Sequence, residues 1–379
     1  MSIPHRLFGR TGLSVSRLGF GAMRLPSRIE SGVEVLSPGQ AVALVRQAWD
    51  AGINIYDTAA AYGSGQSEVV LGAALREVPR GQVVICTKLE ANRCASREEF
   101  RYWFMASLAR LGVERVDILF LHGLKLQSWE ERILPRGLDR EWAEWLAAGR
   151  VGSIGFSSHD TPDNVRNLLA TGCFAAVILQ YNLLDERYAG ALAEAHARGM
   201  GTAVMGPMAG GLLAGEDSVW AEAVTASGVR DQRELALRYV LQQPFVDVAL
   251  AGVTDFAMLH HCTVTAEKDT PLAAAARPLI ARAQAAHHCR QSIYCTFCKY
   301  CLPCPHGVNV PLNLKVLMLA EQHQAGVVAQ RMYERIGVDP LLPGKTAVFC
   351  TGCGQCARRC PQKLDTVDLL HRTRRLFGP

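Results

Sequence analysis

Eight of the chain's thirteen cysteines fall in two short runs near the C-terminus, and no other feature restricts its folding as tightly. The first run is Cys295, Cys298, Cys301 and Cys304, followed by Pro305. The second is Cys350, Cys353, Cys356 and Cys360, followed by Pro361. Three cysteines at i, i+3 and i+6 can wrap one face of a metal–sulfur cubane, and a fourth ligand must then come from elsewhere. Structural zinc instead pairs two C-x2-C knuckles separated by a longer stretch. Four cysteines packed into ten or eleven residues therefore favour iron–sulfur over zinc. A disulfide framework is disfavoured because the N-terminus, MSIPHRLFGRTGLSVSRLGFGAM, has no continuous apolar export segment.

The second run reads C-x2-C-x2-C-x3-C-P, which resembles a bacterial ferredoxin half-site; the first is one residue shorter before its last cysteine. That resemblance implies two 4Fe–4S clusters, with the cysteine before each proline crossing to the other cluster. One cluster would take Cys295, Cys298, Cys301 and Cys360, and the other Cys350, Cys353, Cys356 and Cys304. The 45 residues between the runs exceed a small ferredoxin's spacer. Apolar spacing over 312–323 and 327–336 predicts helices there, as in the α-helical ferredoxin domains of multi-component oxidoreductases.

At 379 residues, two domains are expected, over 1–275 and 276–379. No apolar run approaches the roughly 20 residues of a membrane span, and a cytoplasmic, reducing location is expected. From Arg277 onward basic residues outnumber acidic ones by 14 to 5, whereas the remainder holds 26 basic and 30 acidic residues. The excess reads either as a docking face for an acidic redox partner or as compensation for cluster charge. Nucleic-acid binding is disfavoured: no recognition motif and no interleaved aromatics accompany the charge.

The first ~270 residues alternate short β-rich runs with helical segments. Strands are expected at 17–23, 54–58, 83–88, 117–122, 153–157, 176–181, 201–206 and 247–252. The helices between them include 38–50, 67–76, 97–111, 139–148, 162–170, 185–198 and 231–242. Ser37, Ser96 and Thr161 stand as N-caps, and most of these segments end at glycine. Eight such alternations over ~250 residues predict an α/β fold, a (β/α)8 TIM barrel followed by a small α-helical two-cluster domain. An open doubly wound sheet is the competing fold; it lacks a G-x-G-x-x-G turn after the first strand. Barrel chemistry sits at the C-terminal strand ends, and those ends carry Asp57, Lys88, His122, Ser157, Gln180 and Met205, with Tyr62 in the loop after Asp57. Each could be a capping, surface or core residue singly. Convergent titratable groups at a barrel mouth mark an active site.

The segments IYDTAAAYGSGQSE (55–68), CTK (86–88), DILFLHG (117–123), GRVGSIGFSSH (149–159), LQYNLLD (179–185) and PMAGGLL (207–213) resemble, in that order, the aldo-keto reductase family. The likeness extends to about residue 262. The tail resembles the ferredoxin-like domain of that family's iron–sulfur branch. The resemblance implies an Asp57–Tyr62–Lys88–His122 tetrad that interconverts a small carbonyl and an alcohol by hydride transfer. Tyr62 would be the general acid, its pKa lowered by the Lys88 ammonium. Asp57 would hold Lys88, and His122 would orient the carbonyl oxygen. It also implies NAD(P)H, gripped by Ser157, Ser158 (in place of a common Asn), Gln180, Met205 (where an aromatic often stacks) and Gly252. The stretch 251–262 has no Lys or Arg for a 2′-phosphate, so an NADP preference is not expected. A ferredoxin or another redox protein is the expected partner of the clusters. Two further readings stay open: a ferredoxin-linked reductase that does not use nicotinamide, and an electron-transfer or redox-sensing protein with a vestigial barrel. Trp129 and Trp220, in the loops expected to shape the pocket, read as substrate-facing aromatics or as packing.

Overall fold

The computed structural model describes residues 2–30, 33–215, 217–290, 295–321, 326–339 and 342–378. Two compact units result. The first comprises Met1–Pro26, Leu36–Ala209 and Leu213–Leu279. The second comprises Ile280–Pro379 together with the short segments Ser27–Val35 and Gly210–Leu212.

Eight parallel strands close the first unit into a barrel. They are β1 (Leu18–Gly21), β2 (Ile55–Asp57), β3 (Val84–Leu89), β4 (Val116–Leu121), β5 (Val151–Ser157), β6 (Ala176–Gln180), β7 (Gly201–Met205) and β8 (Val248–Ala251). Closure is made where β8 pairs with β1, Ala251 opposite Phe20. Almost every strand residue is buried, as expected of a parallel sheet covered on both faces. Inside the barrel, Ile55, Val84, Cys86, Ile118, Phe120, Ile178, Val248 and Leu250 pack together. Two bare backbones make room for large rings there. A Cβ on Gly155 would lie 2.5 Å from the Phe120 ring, and one on Gly201 would lie 2.5 Å from the Phe8 ring. Phe8 follows His5–Leu7, which pairs antiparallel with Ser14–Ser16, and it is fully buried in this inner cluster.

The larger core lies between the strands and the surrounding helices. Pro38–Asp50, Arg97–Leu111 and Pro162–Ala170 span the predicted ranges. Ser96 and Thr161 cap their helices by accepting the amides of Glu99 and Asn164. Ser37 makes no such bond; Pro38 alone opens that helix. The helix expected over 185–198 is shortened to Ala189–Ala197. The cause is Asp185, whose carboxylate accepts from Gln180 Nε2 (2.7 Å) and from the Arg187 guanidinium, while its backbone is bridged to Asn182. Trp129 and Trp220 are buried, Trp129 stacking on Trp142 and meeting Phe174 edge-on, so both are packing residues.

In the second unit, helices Val310–Glu321, Gly326–Glu334 and Thr366–Phe377 enclose a separate core of Val308, Leu314, Leu317, Tyr333, Ile336, Leu369 and Leu370. Cys295 and Cys356 are part of that core. Asn313, fully buried, donates to the carbonyls of Asn309 (2.8 Å) and Lys345 (3.1 Å) and accepts the Ala347 amide (2.7 Å). This pins the segment from Lys345 through the 3-10 turn Ala347–Phe349, which leads into Cys350, onto the helix. Among the described residues, no helix is long and apolar enough to cross a membrane.

Candidate active site and thiol-lined cavities

Neighbouring strands bring the tetrad together. Asp57 ends β2, Lys88 lies on β3, and His122 follows β4. Tyr62 opens the turn Tyr62–Gly65, in which Gly63 and Ser64 both take left-handed backbone. The Lys88 ammonium donates to Asp57 Oδ2 (2.5 Å), to the Thr58 carbonyl (2.9 Å) and to the Tyr62 hydroxyl (3.1 Å). Three acceptors use all three ammonium protons. Lys88 and Asp57 are both buried, 3% and 5% exposed, so the pair must satisfy itself inside the protein. Asp57 Oδ1 has no hydrogen-bond partner among the described residues. The His122 and Tyr62 rings meet edge-on, 5.7 Å between centroids.

The electrostatics correct one expectation. Tyr62 is held well above the ordinary tyrosine range, not below it, because burial and then the Asp57 charge disfavour the phenolate. Desolvation here outweighs the Lys88 contact, so Tyr62 rests as a neutral proton donor. Burial also lifts Asp57, against the opposing pull of Lys88. Burial first, then the charges of Lys88, His159 and Arg93, drive His122 down to about 3, so its imidazole is neutral.

The residues expected to grip a nicotinamide stand at the ends of β5 to β8. Ser157 Oγ accepts the Gly123 amide (3.0 Å). Ser158 Oγ donates to the Leu124 carbonyl (2.6 Å) and accepts the Asp160 amide (3.1 Å). Gln180 is anchored on Asp185. All three are buried; they form a fixed polar floor. Met205 is half-buried at the end of β7, and Gly206 beyond it is left-handed. The atoms nearest to where a Gly252 Cβ would be are the methylenes of Arg24, 3.6–3.8 Å away. The chain following β8 holds no Lys or Arg over 251–262, but Arg24 stands beside Gly252 from another strand's end. Barrel closure is the reason: the end of β1 is a spatial neighbour of the end of β8.

In the second unit the eight thiols divide between two cavities. One is lined by Cys295, Cys298, Cys301 and Cys360. The other is lined by Cys304, Cys350, Cys353 and Cys356, with Cys301 also on its wall. Cys360 thus stands with the first run and Cys304 with the second. Left-handed backbone at Phe297, Lys299, Gly352 and Gly354 turns successive thiols inward. Among the described residues no three His, Cys, Asp or Glu groups are placed to hold a single ion. The thiols ring hollow spaces, the arrangement a multi-iron cluster fits. Thr366, buried, lines the first cavity and donates to Cys356 Sγ of the second (3.0 Å), so it forms part of the wall between them.

A closed parallel barrel with this tetrad at its mouth, joined to a unit with two thiol-lined cavities, defines an oxidoreductase architecture. The chain belongs to the aldo/keto reductase family, whose model matches residues 17–268, and a 4Fe-4S dicluster domain matches residues 294–364. Pyridoxal 4-dehydrogenase of Microbacterium luteolum is 30% identical over 55% of this chain and 72% of its own length. The NADH-specific methylglyoxal reductase of Escherichia coli is 28% identical over 55% of this chain and 68% of its own. For three other curated relatives, among them L-galactose dehydrogenase of Arabidopsis thaliana (38% identical), the chain spans only 37–50% of their length. An aldo-keto reductase from Bacillus halodurans shares the fold, with a TM-score of 0.63 at 24% identity, over 74% of this chain and 96% of that one.

Proposed function

We propose that the protein interconverts a small carbonyl and its alcohol by hydride transfer with a nicotinamide, and exchanges single electrons through two 4Fe–4S clusters. The observation that carries the reading is the three-way bond of Lys88 to Asp57, Thr58 and Tyr62 at the barrel mouth. A nicotinamide supplies or accepts the hydride. Ser157, Ser158 and Gln180 would hold its carboxamide, Met205 would lie against the ring, and Gly252 would leave a path for the phosphates. Arg24, whose methylenes lie beside Gly252, is the basic residue that would be nearest such phosphates, since the loop after β8 has none.

As charge builds on the carbonyl oxygen, Tyr62 gives it the phenolic proton. The Lys88 ammonium, already 3.1 Å from that hydroxyl, then faces the phenolate, and Asp57 keeps Lys88 charged and fixed. Neutral His122 donates a hydrogen bond that orients the carbonyl oxygen. In the alcohol direction, the Tyr62 phenolate takes the hydroxyl proton. One cluster would be bound by Cys295, Cys298, Cys301 and Cys360, and the other by Cys304, Cys350, Cys353 and Cys356. Cluster thiolates suit a reducing compartment, and a cytoplasmic site is part of the proposal.

The test is Tyr62→Phe, assayed with NADH and NADPH against a carbonyl panel beginning with methylglyoxal and pyridoxal, the compounds in two relatives' names. Turnover should fall by about 10²–10⁴-fold, the usual worth of a general acid, with the visible cluster absorbance unchanged. Turnover near that of the unmodified protein removes Tyr62 from the chemistry.

A further inference from the structure

The two thiol-lined cavities differ in how they meet solvent. In the cavity of Cys304, Cys350, Cys353 and Cys356, Cys353 is exposed, and so are Thr351, Pro305 and His306 along its rim. In the other, Cys295 is buried, the remaining three cysteines are half-buried, and Lys299 is the exposed rim residue among those described. An electron carrier must bring its redox centre near a cluster edge, and at the second cavity the exposed Cys353 presents a prospective cluster ligand directly to solvent.

The chemistry around that edge is distinctive. Phe349, one residue before Cys350, is 53% exposed, and the Lys345 ammonium sits 4.9 Å from its ring centroid. Arg358 folds back on the loop between Cys353 and Cys356, its guanidinium 3.2 Å from where a Gly354 Cβ would be. Arg359 reaches the Pro303 carbonyl (3.4 Å), one residue before Cys304. Lys345, Arg358 and Arg359 are all exposed, and none has a carboxylate partner among the described residues. Lys345 thus flanks the exposed Phe349, while Arg358 and Arg359 lie against the loops that carry Cys353 and Cys304. Exposed cations without carboxylate partners beside an exposed aromatic and an exposed thiol are the make-up of a transient, electrostatically guided interface.

We propose that this rim, formed by Phe349, Cys353, Lys345, Arg358 and Arg359, is the docking surface for an acidic iron–sulfur carrier protein, and that the cluster beneath it is where electrons enter or leave. The assignment rests on the reading of the tail as a two-cluster electron carrier. In the exchange the reduced carrier loses one electron and the cluster gains it, with no bond made or broken and no proton moved. The competing role for the same cations is to offset the negative charge of the cluster. That role would set the cluster's potential and would be indifferent to the carrier.

The experiment is anaerobic stopped-flow on the holoprotein, mixing it with an acidic 2Fe–2S ferredoxin that has been reduced and freed of excess reductant. Bleaching of the cluster absorbance reports the transfer. For the unmodified protein the second-order rate constant should fall steeply as salt rises. The triple variant K345E/R358E/R359E should be slower by about ten-fold or more at low salt, the range expected of lost steering, and should converge on the parent at high salt. A gentler variant, K345Q/R358Q/R359Q, guards against loss of the cluster, and both must keep the parent's iron content. Redox titrations accompany each. A rate that ignores salt and all three substitutions, with a shifted midpoint potential, assigns the cations to charge compensation and overturns the docking surface. Slowing by Lys299→Glu in place of the triple variant moves the entry to the other cavity and overturns it as well. If the ferredoxin fails to reduce even the unmodified protein while a photochemical reductant succeeds, it is the reading of the tail as a protein-linked carrier that fails.

Discussion

Lys88 is the residue on which the barrel site turns. Its ammonium is buried, and each of its protons has a different acceptor; removing Asp57 would leave that charge without its only counter-ion in the group. The chain order and residue types of the tetrad are readable in the sequence, because strand ends can be located from apolar runs. The protonation state of Tyr62 is not. Desolvation sums over every packed neighbour, and it reverses the shift expected from Lys88 alone. The sign of the pH dependence follows. Carbonyl reduction needs the protonated phenol, whose pKa lies well above 10, so the acid is fully loaded throughout pH 6–9. Alcohol oxidation needs the phenolate, so its kcat/KM should rise with pH across that range, by up to about ten-fold per unit. His122, neutral above about 3, adds no step near 6.5. Profiles of kcat/KM in both directions check this. A reduction rate that falls between pH 7 and 9 would show that Tyr62 titrates there and that the buried environment does not hold it protonated.

At the scale of the element, helices with side-chain caps and glycine stops are legible nearly to the residue, as Arg97–Leu111 between Ser96 and Gly112 illustrates. Elements shaped by long-range polar bonds are not. The shortened helix after β6 depends on Asp185 meeting Gln180 and Arg187, and the approach to Cys350 depends on Asn313; in neither case does local pattern carry the bond. The cysteine runs are legible only through their resemblance to a ferredoxin half-site, which implies the crossing. Spacing alone groups Cys360 with Cys350, Cys353 and Cys356, whereas folding lines Cys360 up with Cys295, Cys298 and Cys301. Crossed ligation makes a specific expectation. Cys360→Ala should remove the same paramagnetic species as Cys298→Ala, and Cys304→Ala the same species as Cys353→Ala, each with about half the iron lost. Low-temperature EPR of the four dithionite-reduced variants decides it. Matching spectra for Cys360→Ala and Cys353→Ala would mean that each run serves its own cluster.

For the whole molecule, the two units differ in what holds them together. The barrel unit buries an inner cluster and a much larger strand–helix core, both assembled from aliphatic and aromatic side chains. The second unit has a smaller core, and cysteines are part of it: Cys295 and Cys356 are buried among Leu314, Leu317 and Leu370. The two units part at Leu279/Ile280, and Ser27–Val35 and Gly210–Leu212, far away in sequence, group with the tail. Which unit a short loop joins is decided by contacts between residues far apart in the chain. Thiols facing a hollow interior leave that core without a filling unless a cluster occupies it, so cluster binding and folding of the second unit should be one equilibrium. Stripping iron anaerobically with a chelator under reducing conditions should open the tail to protease between 295 and 364, while the barrel survives as a resistant fragment. Its tryptophans supply the readout: all six lie in the barrel's stretch of sequence, from Trp49 to Trp220, and the buried ones, Trp129, Trp142, Trp145 and Trp220, should keep their folded emission. Blue-shifted emission retained alongside tail cleavage is the expected result. A tail that stays protease-resistant without iron would show that Val308, Tyr333, Leu369 and their neighbours suffice to fold it, and that the clusters are guests of a preformed scaffold.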